Sequence, residues 1–429
     1  MEPIVVLKPL FRRPIALSLG LSLGVLPAGS LVAMPVSSLP VATPRVGLPQ
    51  LQGQVSCPAL QARVVGILGG EAGVWSVSVA DGTGRLLADV NGLRPRVPAS
   101  NQKLISTAFA LDRLGPDYRL STKLWRLPDG TLRLTGEGDP DLALPQLQRF
   151  AKLALGSGGG TGQPAAQVRL ELAEEPAQAW WPPGWNPGDR FEAYGAPITR
   201  LAVTSNAIEM AVANPPSRLQ RLLGSELNRQ GGKASQLILV SAQTPIPQSS
   251  LLLHEEPSAP MHNLLSLANS ESHNFTAEVL LRQAAGSWNL PQSRSAALQW
   301  LTQQGLPMQG IVVMDGSGLD RSDRLTSRFL TALLLRMAEH PYANSYLASM
   351  SVAGKRGTLR NLYKDTSLEG RFRGKTGTLT GVRAISGILD TSDGPRYVSL
   401  ISNGAGSPNT TIGQVLRQAQ IVSLCQPPA

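Results

Sequence analysis

Two stretches at opposite ends of this 429-residue chain read as parts of one sheet. Near the start, residues 57–68 place Leu60, Val64, Val65 and Leu68 at helical spacing and stop at Gly69-Gly70. Residues 74–80 then alternate (Val74, Ser76, Val77, Ser78, Val79), turn through Asp81-Gly82-Thr83-Gly84, and continue as a second run over 85–90. That is the pattern of a β-hairpin. Near the end, strand-like runs at 370–380, 384–389 and 396–402 precede an amphipathic helix at 411–424. The two groups together predict one antiparallel sheet assembled from both ends of the chain and backed by the terminal helices. The two cysteines, Cys57 and Cys425, fall beside those helices. In an exported protein they either pair or never meet, and the expectation is a disulfide if the helices pack side by side.

Between these ends the texture changes twice. Over 118–258 short strand-like runs (122–126, 131–135, 168–172, 208–212, 237–240) alternate with turns such as Pro128-Asp129-Gly130, which predicts a β-rich inserted region. The glycine run at 156–162 reads as a flexible loop, since no Gly-Lys-Ser/Thr ending follows it. Trp180, Trp181, Trp185, Phe191 and Tyr194 crowd a Pro/Gly-rich segment. Such a cluster can stack on sugar rings, but a local core under a long loop is the expected use. From Met261 helical spacing returns, is interrupted at 270–274, resumes at Phe275, and recurs at 293–304 and 327–339.

The compartment is read from the first 33 residues. Lys8, Arg12 and Arg13 precede an uncharged, mostly apolar stretch at 14–33, which has the form of an export signal. A membrane anchor through 14–33 is the alternative. Residues 34–55 read as a linker. The net charge of +10 favours anionic surroundings, but the Lys and Arg residues are scattered and no nucleic-acid motif is present. The cysteines and four histidines show no metal-ligand spacing, so no metal or cofactor is expected.

Chemistry enters at Pro98-Ala99-Ser100-Asn101-Gln102-Lys103, just ahead of an apolar helical pattern (Leu104, Ile105, Ala108, Leu111). Residues three apart share a helix face, so the Lys103 amine lies beside the Ser100 hydroxyl. A lysine with a lowered pKa can take that proton and make the serine a nucleophile. Two further groups follow, Ser272-His273-Asn274 and Lys375-Thr376-Gly377. Gly374-Lys375-Thr376 is not a phosphate loop, because strand-like sequence follows it instead of a helix. Asp315-Gly316-Ser317-Gly318-Leu319 is not a nucleophile elbow, because Asp315 and Leu319 stand at the two glycine positions. A Ser-His-Asp triad lacks a suitably placed histidine, the first being His254. Ser-x-x-Lys, Ser-x-Asn and Lys-Thr-Gly in this order form the motif set of penicillin-binding proteins and class A β-lactamases.

On these motifs, and on Trp185, Gly195-Ala196-Pro197, Asp315-Gly316-Ser317-Gly318-Leu319, Gly357-Thr358-Leu359 and Gly374 to Thr378, the chain resembles the class C low-molecular-mass penicillin-binding proteins, the D-alanyl-D-alanine carboxypeptidases and endopeptidases. The resemblance implies an α+β penicillin-binding/β-lactamase-like fold, with an antiparallel sheet flanked by helices and an all-helical part. The catalytic domain would comprise 56–117 and 259–429, with the inserted domain at 118–258. It further implies Ser100 as nucleophile, Lys103 as base, Ser272 as proton relay to the leaving nitrogen, and Lys375 as the attractor of the substrate carboxylate. Asn274, Thr376, Gly377 and Thr378 would bind substrate, and the backbone N–H groups of Ser100 and Thr378 would form an oxyanion hole. The implied partners are peptidoglycan stem peptides ending in D-Ala-D-Ala and, as covalent inhibitors, β-lactams, all outside the cytoplasm. A β-lactamase or esterase on the same fold, and a non-catalytic wall-binding protein, are the competing readings. His273 stands where the family usually has Asp, and the insertion is short for the family.

Overall fold

The computed structural model describes residues 49–156 and 166–425. The expected signal or anchor at 1–33, most of the linker at 34–55, and the glycine run beyond residue 156 lie outside the described residues. Among the described residues no helix is long and apolar enough to cross a membrane.

Helix α1 (Pro58–Leu68) buries Leu60, Val64 and Leu68, one residue every four, and leaves Val65 exposed. Strands β1 (Trp75–Asp81) and β2 (Leu86–Val90) form the hairpin. A 3-10 turn at Ala99–Gln102 runs into α2 (Lys103–Leu114), so the helix proper begins at the lysine of the tetrad and not at its serine. Next come β3 (Ser121–Arg126), β4 (Leu132–Gly136), α3 (Leu144–Leu155), β5 (Ala166–Glu174), α4 (Pro215–Arg229), β6 (Gly232–Ser241) and β7 (Leu251–Pro257). The helical stretch is α5 (Met261–Asn269), α6 (Asn274–Ala285), α7 (Leu290–Gln303), α8 (Ser327–Ala338) and α9 (Ala343–Ala348). The chain closes with β8 (Ser351–Val352), β9 (Phe372–Leu379), β10 (Val382–Thr391), β11 (Gly394–Asn403) and α10 (Pro408–Gln420).

The first sheet runs β2-β1-β11-β10-β9-β8 and every pair in it is antiparallel. It is built from both ends of the chain, with Trp75 opposite Ser402 and Asp81 opposite Arg396. Both of its faces are covered. Val77, Val79, Ile385, Val398 and Leu400 pack under α1 and α10. Ile388, Tyr397 and Ile401 pack into the helical core with Phe329 and Leu333 of α8. The Val/Ser alternation of β1 therefore does not divide core from water, as alternation usually does. Its serines are buried and bonded: Ser76 Oγ accepts from Arg96 Nε at 2.8 Å, and Ser78 Oγ lies 2.8 Å from Ser327 Oγ of α8.

The inserted stretch makes its own sheet, ordered β6-β5-β4-β3-β7. Its β4–β5 and β5–β6 pairs are parallel. Parallel neighbours need a crossover, and α3 and α4 supply it. These helices fill the core with Leu147, Phe150, Leu219, Leu223 and Leu227, so the region carries two helices besides its strands. Residues 208–212 are not a strand. They form a tight loop, with Ile208 N–H donating to Met210 O at 3.1 Å and the Ile208 and Met210 side chains exposed.

The last turn ends at Cys425, which is disulfide-bonded to Cys57 at the start of α1. The bond closes a loop of 368 residues and ties α1 to the end of the chain behind the first sheet. Cross-linking restricts the unfolded chain most when the loop is long. Replacing both cysteines by alanine is expected to destabilise the protein by about 2–5 kcal/mol, read as a lowered urea midpoint. An unchanged midpoint would refute this role for the bridge.

Candidate active site

The tetrad turn is held by close approach on two sides. Ala99 is fully buried and adopts φ +47, a left-handed backbone that a non-glycine residue enters only when its surroundings enforce it. A Cβ on Gly318 would sit 1.9 Å from Ala99 O, and one on Gly377 would sit 2.7 Å from Pro98 O. Both positions must therefore be glycine for the 315–320 loop and β9 to reach the turn. In the structure Gly377 provides this approach and offers no side chain to a substrate. Asn101 Nδ2 adds a bond of 3.2 Å to Lys375 O.

Within this frame Lys103 is 0% exposed. Its Nζ donates to Ser100 Oγ at 3.0 Å, Asn274 Oδ1 at 2.5 Å and Ser317 O at 2.7 Å. All three acceptors are neutral. Burial pushes the Lys103 pKa down to about 7, with the Asp315 charge pulling the other way.

Ser317 O is aimed at the lysine by Asp315, whose role the sequence reading did not assign. Asp315 Oδ1 accepts from Ser317 N–H at 3.1 Å and Gly318 N–H at 2.6 Å. Oδ2 accepts from Leu319 N–H, Asp320 N–H and Trp185 Nε1–H at 2.8–3.0 Å. One buried carboxylate thus organises the loop. The aromatic cluster divides accordingly: Trp180 and Trp185 are core, whereas Phe191 and Tyr194 are exposed.

The second wall is the break between α5 and α6. Ser272 sits at φ +62, and its Oγ accepts from Lys375 Nζ at 2.8 Å. His273 Nδ1 lies 2.7 Å from Thr276 Oγ1 in the first turn of α6. Burial, helped by Lys103, pushes the imidazole down to about 4, which leaves it neutral at physiological pH. Asn274 is engaged at both ends: Oδ1 holds Lys103 and Nδ2 donates to Tyr194 O at 2.8 Å.

Strand β9 is the third wall. Lys375 is also 0% exposed, and its Nζ donates to Ser272 Oγ and to Thr376 O, both at 2.8 Å. Burial and then the neighbouring Lys103 hold its pKa well below the ordinary lysine value. Thr376 Oγ1 donates to Thr358 Oγ1 at 2.7 Å, and Thr378 Oγ1 accepts from Arg383. β8 covers β9 only at Gly374 and Arg373, so among the described strands none pairs with that edge from Lys375 onward. A cavity of about 270 Å³ opens here, lined by Ser100, Ser272, Thr376, Thr378, Tyr363 and Arg383 among others. Ser100, Lys103, Ser272, Asn274, Lys375, Thr376, Gly377 and Thr378 thus meet around one cleft, and Cys57 and Cys425 lie apart from it.

Residues 66–217 and 206–423 match the profile of the D-Ala-D-Ala carboxypeptidase 3 (S13) family. A carboxypeptidase of Mycobacterium tuberculosis is 31% identical over 342 residues, covering 73% of this chain and 72% of that one. A D-alanyl-D-alanine carboxypeptidase of Actinomadura is 26% identical over 446 residues, covering 82% and 80%. Among solved structures, penicillin-binding protein 4 of Haemophilus influenzae superposes with a TM-score of 0.70 at 18% identity, over 83% of this chain and 97% of its own. A predatory peptidoglycan endopeptidase of Bdellovibrio bacteriovorus superposes at 0.53 with 18% identity, over 80% and 92%. The two structural likenesses show the fold.

The Asp315 loop makes a direct prediction. D315A strands at least four buried N–H donors and frees Ser317 O from its aim at Lys103. It is expected to cost at least about 3 kcal/mol in urea unfolding and to weaken β-lactam binding. A variant of wild-type stability would refute the assignment.

Proposed function

The chain belongs to the D-Ala-D-Ala carboxypeptidase 3 (S13) family, the class C low-molecular-mass penicillin-binding proteins, and from that premise we propose that it cleaves peptidoglycan stem peptides ending in D-Ala-D-Ala through an acyl-enzyme on Ser100. The observation that carries the reading is the fully buried Lys103 amine, 3.0 Å from Ser100 Oγ and touching no carboxylate. An amine so placed is available as a base near neutral pH.

In this mechanism the neutral Lys103 keeps its two N–H bonds for Asn274 and Ser317, turns its lone pair to Ser100 Oγ, and takes that proton while Oγ attacks the carbonyl carbon of the penultimate D-Ala. Charge collects on the carbonyl oxygen, where the N–H groups of Ser100 and Thr378 are the proposed donors; the unpaired edge of β9 leaves room for substrate beside Thr378. The leaving nitrogen needs a proton as the C–N bond breaks. Ser272 Oγ accepts from Lys375, so its own proton is directed elsewhere and can pass to that nitrogen. Lys375 replaces the proton on Ser272. Charging Lys103 promotes this step, because the Lys103 cation lowers the affinity of Lys375 for its proton. Before the second half-reaction Lys103 loses its proton to solvent and Lys375 regains one; water then attacks the ester, Lys103 takes the water proton and returns it to Ser100 Oγ as the ester C–O bond breaks, which releases the shortened stem.

The same reading places the protein outside the cytoplasm, exported through 1–33, with 14–33 as the segment that would attach it to a membrane if retained. Endopeptidase action on D,D-crosslinks uses the same acyl half-reaction with a larger leaving group, so it is proposed as a second activity of the one site.

Fluorescent penicillin followed by peptide mass analysis is expected to show one adduct, on Ser100, and none in S100A. An intact folded protein without adduct refutes the acyl-enzyme. Muropeptide monomers and dimers digested separately report D-Ala release and crosslink scission as distinct products.

The pH dependence has a definite sign. Lys103 must be neutral to act, so the acylation rate should rise about tenfold per pH unit below about 7 and then level off. A rate still climbing at pH 9 would exclude Lys103 as the base. Because the folded pKa lies below the ordinary lysine value of 10.5, the unfolded chain binds more protons between about 7 and 10.5. The Lys103 contribution to folding stability therefore rises with pH across that window.

A further inference from the structure

The sequence reading gave the substrate carboxylate to Lys375, but the structure buries that amine and occupies it with Ser272 and Thr376. The cation that lines the cleft is Arg383. It stands on β10 directly opposite Thr378 of β9, in the same pair of strands that carries the Lys-Thr-Gly sequence. Its Nη1 donates to Thr378 Oγ1, which fixes the guanidinium beside the threonine hydroxyl. Its Nε is buried and has no hydrogen-bond partner. Among the described residues no carboxylate pairs with it; burial disfavours its charge, and the neighbouring Tyr363 offsets this only in part.

A buried donor on a charged group is costly when left unmatched. The surroundings do not match it. Tyr363 closes the cavity at φ +63, a strained backbone for a tyrosine, and packs against Gly413 of α10, where an added Cβ would lie 3.1 Å from its ring. Arg417 of α10 also lies near Tyr363, so this end of the cleft gains positive charge. A planar guanidinium that lines the cavity beside a threonine hydroxyl is complementary to a carboxylate. The ligand must also reach Ser100, which lines the same cavity.

We propose that Arg383, oriented by Thr378, binds the carboxylate of the leaving D-residue and makes the enzyme selective for leaving groups that carry one. The proposal rests on the acyl-enzyme reading and adds to it a specificity-determining residue, with Lys375 left to proton transfer through Ser272.

The test uses two thioester substrates with the same acyl half, one releasing a thiolactate with a free carboxylate and the other its primary carboxamide. Wild type is expected to favour the carboxylate by about tenfold or more in kcat/KM, and R383Q to reduce that ratio by about tenfold to a hundredfold, the range of one or two charge-assisted hydrogen bonds. A structural defect alone would lower both rates and leave the ratio standing. If R383Q turns over neither substrate, R383K is read in the same way; it keeps the charge, loses the fork, and should reduce the ratio by about threefold or more. A wild type without preference, or a folded variant that keeps the full ratio, overturns the role of Arg383. A wild type that acquires no label on Ser100 overturns the acyl-enzyme reading instead, so the two failures are distinguishable.

Discussion

A lysine buried from solvent and paired with no carboxylate is the condition on which the rest of this structure depends. Lys103 makes three hydrogen bonds, to a hydroxyl, an amide oxygen and a backbone carbonyl. Each orients the amine without stabilising its cation as a carboxylate would. Holding the pKa near 7 against an ordinary 10.5 costs about 5 kcal/mol in the charged form, and that cost is what leaves the amine unprotonated, and so able to accept a proton, near neutral pH. The three acceptors come from three separate elements: the 3-10 turn before α2, the start of α6, and the 315–320 loop. Acidic groups are present nearby, but none pairs with the amine; Asp323 accepts from Met314 N–H and leaves its other oxygen without a partner. Asp315 is consumed by backbone N–H groups, and Glu278 by Arg282 and Gly316 N–H. The buried carboxylates thus build the wall of the site without entering it.

Bringing those elements within van der Waals contact places demands on the backbone that read as oddities when taken singly. Ala99 and Ser272 occupy left-handed conformations, at a cost on the order of 1–3 kcal/mol each. Gly318 and Gly377 are required by contacts to Ala99 and Pro98 that no side chain could share. The sheet supplies the rigidity that sustains this. It is covered on both faces, joined from both ends of the chain, and closed behind by the Cys57–Cys425 bond. β9 can then carry Lys375 inward and its open edge outward, because β10 and β11 fix its register.

Much of this is legible in the sequence, for identifiable reasons. The Ser-x-x-Lys spacing places two side chains on one turn whatever the surrounding fold, and the paired terminal strand patterns predict a sheet that the structure contains. Other features depend on partners distant in sequence. Ser76 and Ser78 alternate with valines as if they faced water, yet they face Arg96 and Ser327 across a buried interface. α3 and α4 are hidden because Pro145, Pro215 and Pro216 resemble loop punctuation, although proline is well suited to the first turn of a helix. Residues 208–212 have strand composition, but no neighbouring strand offers them a ladder. Asp315 looks like a turn residue, and only the structure shows five N–H groups converging on it. Arg383 looks like a strand residue facing outward until Thr378 is seen opposite it.

The three basic side chains around the cleft are separated by their surroundings more than by their positions in the chain. Lys103 and Lys375 are buried and coupled, so a proton arriving on one disfavours the proton on the other. That coupling suits groups that exchange protons within a single turnover. Arg383 cannot take part in such an exchange, because a guanidinium keeps its proton throughout the physiological range. Its place at the cavity wall, bonded to a threonine hydroxyl and to no acid, suits a group that stays charged while substrates come and go. Lys375 gives its proton to Ser272 in the proposed acylation, so a carboxylate held by that amine alone would lose its counter-charge as the C–N bond breaks. Moving the permanent charge to the neighbouring strand separates binding from proton transfer and leaves each lysine free to change state.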